Sequence, residues 1–344
     1  MKTPALPRPD LNRRAFLRTA AAGALAAPYI ARGQVLGAND RIGVGFIGAG
    51  GRSGAHMNMV KHLKEAGEAV DHVAVCDIYR PRREKKKQQF GMARDYADHR
   101  ELLADKDVDV VCIATPDHHH GYQALDALKA GKSAYCEKPV THWRQFELTK
   151  RLADAAAASP CCLQIGTQAM SDSAWHQMKA LVKEGLIGTP LFGETGFFRT
   201  GDWGERGMHI DDPNAKPGPD LDWEAFLGDA PKREFSVDRL FRWRLFEDYA
   251  GGPVTDLYPH CLTQVVDILG VGFPEAVVAL GGIHVYPYEL RDVPDTFNLI
   301  AQYPEKITIS VLGTQGNDFQ NAPRRGAGQR CPAIRGIEGT LSIA

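Results

Sequence analysis

Apolar residues along the chain fall into short runs separated by amphipathic stretches, and in the first half the two alternate. Arg41 to Ile47, His72 to Asp77 and Val108 to Ala114 are nearly continuous apolar runs rich in β-branched residues, the pattern of strands covered on both faces. Ser133 to Cys136 and Cys161 to Gly166 repeat it more briefly. The stretches between them carry helical patterns. One ends near Ala66, one runs to about Ala130 with Gly131 as its stop, and one spans Thr141 to Ala158. Strand and helix in alternation predict a doubly wound parallel sheet. The pattern changes at Thr167-Gln168. After a helix from Ser171 to Glu184, the segments Leu191 to Arg199, Ala276 to Val285, Thr296 to Gln302 and Lys306 to Leu312 suit a large, mostly antiparallel open sheet. The expected class is α/β in two domains, 39–167 and 168–344.

The first 38 residues stand outside this pattern. Asn12-Arg13-Arg14-Ala15-Phe16-Leu17-Arg18 is a twin-arginine motif, followed by a weakly apolar run from Ala20 to Ala27, with Ala24-Leu25-Ala26 as a cleavage site. That run is too short to span a bilayer. The segment reads as a signal peptide for export of a folded protein to the periplasm. It holds six Lys/Arg and one acid, so the remaining body carries 35 bases against 41 acids, net −6. An acidic body argues against nucleic acid and membrane as partners, and the basic run Arg80 to Lys87 reads as a solvated helix face. Seven cysteines is an odd number, without metal-type spacing. Cys76, Cys112, Cys136, Cys161 and Cys162 fall in expected buried strands, where a thiol is a small hydrophobe, so no disulfide framework is expected.

Candidate chemistry gathers at the strand ends. The first strand runs into Gly48-Ala49-Gly50-Gly51-Arg52-Ser53-Gly54. Gly48 and Gly50 allow a tight turn and a close approach of backbone to a pyrophosphate, which the next helix N-terminus would receive. The third glycine is off register, with Ser53 in its expected place. A GxG alone is weak evidence. Asp77, 27 residues past Gly50 at the end of the second strand, adds to it. A carboxylate there accepts adenine-ribose hydroxyls and repels a 2′-phosphate, which favours NAD, while Arg80, Arg82 and Arg83 leave NADP open. The plain alternative for Asp77 is a helix N-cap before Pro81. The next unit ends at Thr115-Pro116-Asp117-His118-His119-His120. Adjacent histidines point in different directions, so no metal is expected. The loop is instead expected to cover the nicotinamide end of the cofactor, with His118 and His120 towards the cleft.

Tyr135-Cys136-Glu137-Lys138-Pro139-Val140 places a lysine at a strand's carboxyl edge, where open α/β sheets bind ligands. Pro139 ends the strand and holds Lys138 extended. Further on, Arg199 to Trp243 is rich in Gly, Pro, Trp and Asp and is expected to be a long, irregular, functional loop. Trp203, His209, Arg242, Trp243 and Arg244 offer stacking faces and guanidinium groups of the kind sugar sites use; a surface loop pinned by buried tryptophans is the alternative. Gly251 to His260 then opens a helix running to Leu269, with a first turn around Thr255 where Pro259 is tolerated. Asp256 and His260, at i and i+4, share one face. His260 suits proton exchange near neutral pH, and Asp256 can hold its tautomer or bind substrate.

With these residues assembled, the chain resembles the Gfo/Idh/MocA oxidoreductase family over nearly all of 39–344. The carriers are Gly48-Ala49-Gly50-Gly51-Arg52, Ala114-Thr115-Pro116-Asp117, Gly131-Lys132 with Cys136-Glu137-Lys138-Pro139, and Asp256-x-x-x-His260. The resemblance implies a Rossmann domain followed by an α/β domain whose open sheet forms oligomer interfaces, hence a homo-oligomer. It implies Lys138 and His260 on either side of the hydroxyl carbon, with Asp256 beside them. His260 would take the hydroxyl proton as hydride leaves, and Lys138 would polarise the oxygen. The candidate cofactor set comprises Gly48, Gly50, Gly51, Arg52, Ser53, Asp77, Thr115, Pro116, His118, His120, Glu137, Lys138 and Gln168. The substrate set comprises Trp203, Arg242, Trp243 and Tyr258. Two departures stand out. Ala169 and Met170 follow Gln168 where similar exported members carry an arginine. The chain also ends at Gly339 to Ala344, where similar proteins continue, which reads as a truncated C-terminal end.

The expected function is NAD-dependent hydride transfer at a hydroxyl or carbonyl of a sugar, sugar derivative or cyclic polyol. The periplasm has no pool of free nicotinamide cofactor. Export therefore implies a cofactor loaded before translocation, held tightly and regenerated within each cycle. Two alternatives stay open. One is a redox-neutral, NAD-dependent glycosidase or lyase, although such relatives depart from the Glu-Lys-Pro turn kept here. The other is a redox-silent carbohydrate-binding protein, which has no need of a proton donor facing a nicotinamide.

Overall fold

The structure, a computed structural model, describes residues 41–201, 208–287, 290–318, 324–325 and 329–343. The leader 1–38 and Trp203 lie outside the described residues.

The strands β1 (Ile42–Ile47), β2 (Val70–Cys76), β3 (Arg94–Tyr96), β4 (Val110–Ile113), β5 (Ser133–Cys136) and β6 (Leu163–Ile165) pair in parallel, in the order β3-β2-β1-β4-β5-β6. Helices α1 (Gly51–Glu65), α2 (Arg80–Phe90), α3 (His99–Ala104), α4 (Asp117–Lys129) and α5 (Phe146–Ala158) connect them. The order reverses between β1 and β4, so their carboxyl ends open the crevice in which such sheets bind ligands. Phe46, Val111, Ile113, Leu102, Ala124 and Cys136 are fully buried around this sheet. β3 and α3 escape the apolar pattern because Arg94-Asp95-Tyr96 is a polar edge strand. α5 begins five residues later than expected. Residues 137–145 turn instead, through a cis Lys138–Pro139 peptide and a His142 N–H bond to the Gln145 side chain (3.0 Å). Cys76, Cys112, Cys136, Cys161, Cys162 and Cys261 are free thiols. Contrary to expectation, Cys161 and Cys162 precede β6 and Cys162 is exposed.

The second half adds helices α6 (Ser173–Lys183), α7 (Trp223–Leu227), α8 (Val237–Phe241), α9 (Pro253–Asp256) and α10 (Tyr258–Leu269). Its strands are β7 (Pro190–Phe198), β8 (Ala276–Gly282), β9 (Thr296–Gln302), β10 (Thr308–Thr314), β11 (Arg324–Arg325), β12 (Gln329–Gly336) and β13 (Thr340–Ser342). They form one sheet in the order β11-β12-β7-β10-β9-β8, with β13 on β12. Among the described residues only β7 and β10 pair in parallel in this sheet; the other pairs are antiparallel, giving the mixed, mostly antiparallel sheet expected. Trp175, Cys261, Val265, Ile268, Ile309 and Ile334 bury between this sheet and its helices.

Two expectations need correction. The stretch from Arg199 to Trp243 is not irregular throughout: α7 and α8 lie in it. Its residues Trp223, Phe226, Phe241 and Trp243 join Phe246 and Tyr249 in a third apolar core. Beside that core the buried Asp248 accepts from Arg233 and Arg239, each at 2.9 Å. Asp256 and His260 also do not share one helix. Pro259 has no N–H to bond the carbonyl one turn back, so the ladder breaks at Leu257 and a second helix starts at Tyr258.

The His260-bearing helix is seated by a glycine. A Cβ on Gly193 of β7 would stand 2.5 Å from Val265 Cγ1 and 3.1 Å from Leu269 Cδ1 of α10. Gly193→Val is therefore expected to push α10 off the sheet at a cost of ~1–3 kcal/mol. Thermal unfolding followed by circular dichroism should show a Tm lower by about 2–10 °C. An unchanged Tm would mean that α10 is not seated on β7 in this way.

Candidate active site

The glycine turn leaves β1 in a conformation only glycine takes easily. Gly48 has φ +94°, and a Cβ there would lie 2.7 Å from the Ala114 carbonyl oxygen. Over Gly50 and Gly51 the space is open, with nothing within 4 Å of an added Cβ. α1 starts there with no side-chain cap and no acid in its first turn, so its N–H groups and dipole are available to an anion. Asp77 closes the turn from the end of β2. Its Oδ2 accepts from the Ala49 N–H (2.7 Å) and its Oδ1 from the Tyr79 N–H (2.9 Å). An open glycine turn beside a carboxylate at the β2 end fits a dinucleotide, with pyrophosphate on the turn and ribose at Asp77. Ser53 is fully buried in the first turn of α1, and its hydroxyl finds no hydrogen-bond partner.

Glu137 ties this turn to the β5 edge. Its Oε1 lies 2.6 Å from Arg52 Nε and 2.8 Å from His56 Nε2. Burial pushes the Glu137 carboxyl up. The His56 hydrogen bond and the Arg52 guanidinium outweigh it and hold the group below its ordinary value. The next residue, Lys138, crosses to the second half of the chain. Its ammonium donates to Asp256 Oδ1 (2.7 Å) and to the Asp256 main-chain carbonyl. Arg244 Nε stands 3.4 Å from the same Oδ1. Burial alone would raise the Asp256 carboxyl, but Lys138 and Arg244 hold it well below the usual carboxylate range. His260, half-buried at the start of α10, is pushed down to about 4 by burial and then by the Lys138 ammonium. Its imidazole is therefore neutral near pH 7 and can accept a proton.

The predicted site residues thus divide. Lys138 and Asp256 are in contact, His260 lies within the field of both, and Arg52 and Glu137 adjoin the glycine turn. The histidine run is placed differently from the expectation. His118 and His119 each have Nε2 2.7 Å from the Phe226 carbonyl oxygen, and the ring nitrogens of His120 lie 2.7 Å from the carbonyls of Thr115 and Pro139. His118 and His120 are buried and tie α4 to its neighbours; they do not face the cleft. Thr115 donates to Gln123 (2.6 Å), Pro116 caps α4, and Gln168 is exposed at the head of a 3₁₀ turn. The substrate set is mostly spoken for. Tyr258 is buried and donates to the Phe297 carbonyl, Trp243 belongs to the third apolar core, and Arg242 pairs with Asp238 (3.2 Å). Residue type alone does not reveal this, because the elements that carry Trp243 and Tyr258 close around two different apolar cores.

Two groups take places that residue type alone does not assign. Arg244, expected from the sequence as a guanidinium for a sugar, follows the long stretch directly and reaches Asp256. Asp117, part of the Ala-Thr-Pro-Asp motif, is buried at the start of α4, with Oδ2 3.3 Å from Thr255 Oγ1. Burial raises its pKa to about 7 despite the nearby Arg244 and Lys138 cations.

Two family models match the chain. One, "Oxidoreductase family, NAD-binding Rossmann fold", covers residues 42–167, and the other, "Oxidoreductase family, C-terminal alpha/beta domain", covers 171–278. An inositol 2-dehydrogenase of Salmonella paratyphi B is 32% identical over 152 residues, 44% of this chain and 42% of that relative. The match thus spans less than half of that relative's length. An inositol 2-dehydrogenase of Rubrobacter xylanophilus is 25% identical over 295 residues, 85% of this chain and 74% of the relative. The fold resembles that of levoglucosan dehydrogenase in complex with NADH and levoglucosan, at 21% identity and a TM-score of 0.65, covering 88% of this chain and 73% of that one. From the glycine turn to the sheet of the second half, the chain belongs to the Gfo/Idh/MocA oxidoreductase family.

Proposed function

We propose that this protein is an NAD-dependent oxidoreductase acting on a CH–OH group of a sugar, sugar derivative or cyclic polyol. The observation that carries it is the Lys138–Asp256 pair with a neutral His260 beside it, joined through Glu137 to an open glycine turn. NAD bound on that turn would supply the hydride acceptor. Everything else is the work of this chain. Asp256 fixes Lys138 Nζ, which donates to the substrate oxygen. The imidazole of His260 takes the hydroxyl proton as the carbonyl forms. Arg244 shares the Asp256 carboxylate, so Lys138 keeps a donor for substrate. Related chains named inositol 2-dehydrogenase, and a fold neighbour bound to NADH and levoglucosan, support a polyol or sugar as the substrate class.

The same reading includes export and self-association. The Arg13-Arg14 motif supports a periplasmic protein exported with its cofactor already bound, which favours regeneration within the catalytic cycle. The second sheet supports a homo-oligomer. On its edge strand β8 and on the neighbouring β9, Val278, Leu280 and Ile300 share one face and are exposed at 71, 77 and 53%. An apolar face of that kind marks an interaction surface, and we assign it to a second copy of this chain. The redox-neutral lyase and the binding-protein readings gain no specific observation.

Three outcomes test this reading. His260→Ala should lower kcat/KM for polyol oxidation by about 10²–10⁴-fold while leaving NAD bound, as read by dinucleotide released on denaturation. Unchanged turnover would remove His260 from the mechanism. In the parent enzyme, oxidation requires neutral His260. Its kcat/KM should therefore rise with pH through about 4 and level off above, and this acid limb should vanish in His260→Ala. Val278→Asp with Leu280→Asp should shift the sedimentation coefficient to that of a monomer; an unshifted oligomer would place the interface elsewhere.

A further inference from the structure

The stretch after β7 returns to the adenosine edge of the first sheet. We propose that residues 209–222 form a strap that selects NAD over NADP, with Asp211 and Asp220 neutralising the arginines that would otherwise bind a 2′-phosphate. This rests on the dinucleotide reading above.

α2 follows Asp77 at the end of β2 and carries Arg80, Arg82 and Arg83 where a 2′-phosphate would need cations. Each guanidinium is already matched with a carboxylate. Arg82 Nε donates to Asp211 Oδ2 (2.5 Å), and Arg80 pairs with Asp220. Arg83 donates to Asp95 (3.0 Å) and to the Asp77 main-chain carbonyl (3.0 Å). Two of the three partners come from the strap. The Tyr79 hydroxyl, in the turn between Asp77 and α2, also donates to Asp212 of the strap (3.2 Å).

The backbone fixes the strap at this place independently of those ion pairs. Arg80 N–H donates to the Asp220 carbonyl (2.8 Å), Asp222 N–H donates to the Ile78 carbonyl (3.4 Å), and Tyr79 and Leu221 form an antiparallel bridge. Asp211 and Asp220 are exposed at 41 and 49%, and ion pairs as accessible as these add little stability. Their consequence is electrostatic. A ribose with a free 2′-hydroxyl needs only the acceptor that Asp77 offers. A 2′-phosphate brings a charge of about −1.5 to −2 and would meet Asp77, Asp211, Asp212 and Asp220 together. It would also have to separate Arg82 and Arg80 from their partners.

The test measures equilibrium binding of NAD and NADP to the purified full chain, freed of nucleotide, and to D211N/D220N, with D211N alone as a milder variant. Glu224, which pairs with Lys232 just beyond the strap, supplies the control E224Q. The double variant is expected to raise the ratio of NADP to NAD affinity about tenfold, equivalent to about 1.4 kcal/mol. D211N should move it in the same direction by a smaller factor, and E224Q should leave it unchanged. If the parent chain binds NAD and the ratio is unmoved in either Asp variant, the strap is not the discriminator. A parent chain that prefers NADP overturns the inference as well. A parent chain that binds neither dinucleotide fails at the earlier step and overturns the cofactor reading itself.

Discussion

The ion pair between Lys138 and Asp256 joins the carboxyl edge of the first sheet to the short helix α9 ahead of the second. Both groups are withdrawn from water, and a buried pair is favourable only when its remaining hydrogen-bonding capacity is met. Here the lysine also donates to the Asp256 main-chain carbonyl, and Arg244 brings a second cation to the carboxylate. That arrangement over-supplies positive charge around one acid. Lys138 thus stands where it can donate to a substrate oxygen, and its ammonium helps to hold the His260 imidazole neutral.

Asp117 belongs to the same balance with the opposite sign. It is buried near Asp256, and of the two acids only Asp256 has a cation in direct contact. Burial therefore wins at Asp117, and its pKa rises to about 7, while Lys138 and Arg244 win at Asp256. For Asp117 the folded state favours the protonated form. Its ionisation thus opposes folding as pH rises from the ordinary carboxyl range to about 7, with no further change above. For Asp256 the stabilisation is complete above the ordinary carboxyl range and is lost only as the solution becomes strongly acidic. Two carboxyls that both feel Lys138 shift in opposite directions because of where their nearest cations stand.

Much of this was legible in the sequence, for physical reasons that also mark its limits. The strands of the first sheet announced themselves because a parallel sheet buries both faces and leaves continuous apolar runs. Lys138 was legible because the proline after it must end a strand. Asp256 and His260 were legible by spacing, although the spacing suggested one helix where Pro259 imposes two. The short polar β3 carries no such signal. Nor do α7 and α8, each five residues long, since neither spans enough turns to show a period. Residue type assigns Trp243 and Tyr258 to substrate, but their elements close around apolar cores. The histidine run failed similarly: which way His118 and His120 turn depends on the Phe226 and Pro139 carbonyls, separated from them by 108 and 19 residues.

Arg80, Arg82 and Arg83 show the same limit. In sequence they follow Asp77 as free cations and leave the choice of cofactor open. In the fold their partners arrive from Asp95 and from a stretch about 130 residues away, which no local pattern could supply. The chain thus uses one segment for two tasks at opposite ends of the crevice. Residues 209–222 meet the adenosine edge, and Arg244, shortly after, meets the Asp256 carboxylate at the reacting end. The aromatic core from Trp223 to Tyr249 lies mostly between them in the chain. It sets the distance between these two contacts, so its packing can govern how the cofactor edge and the proton-transfer site are held relative to one another.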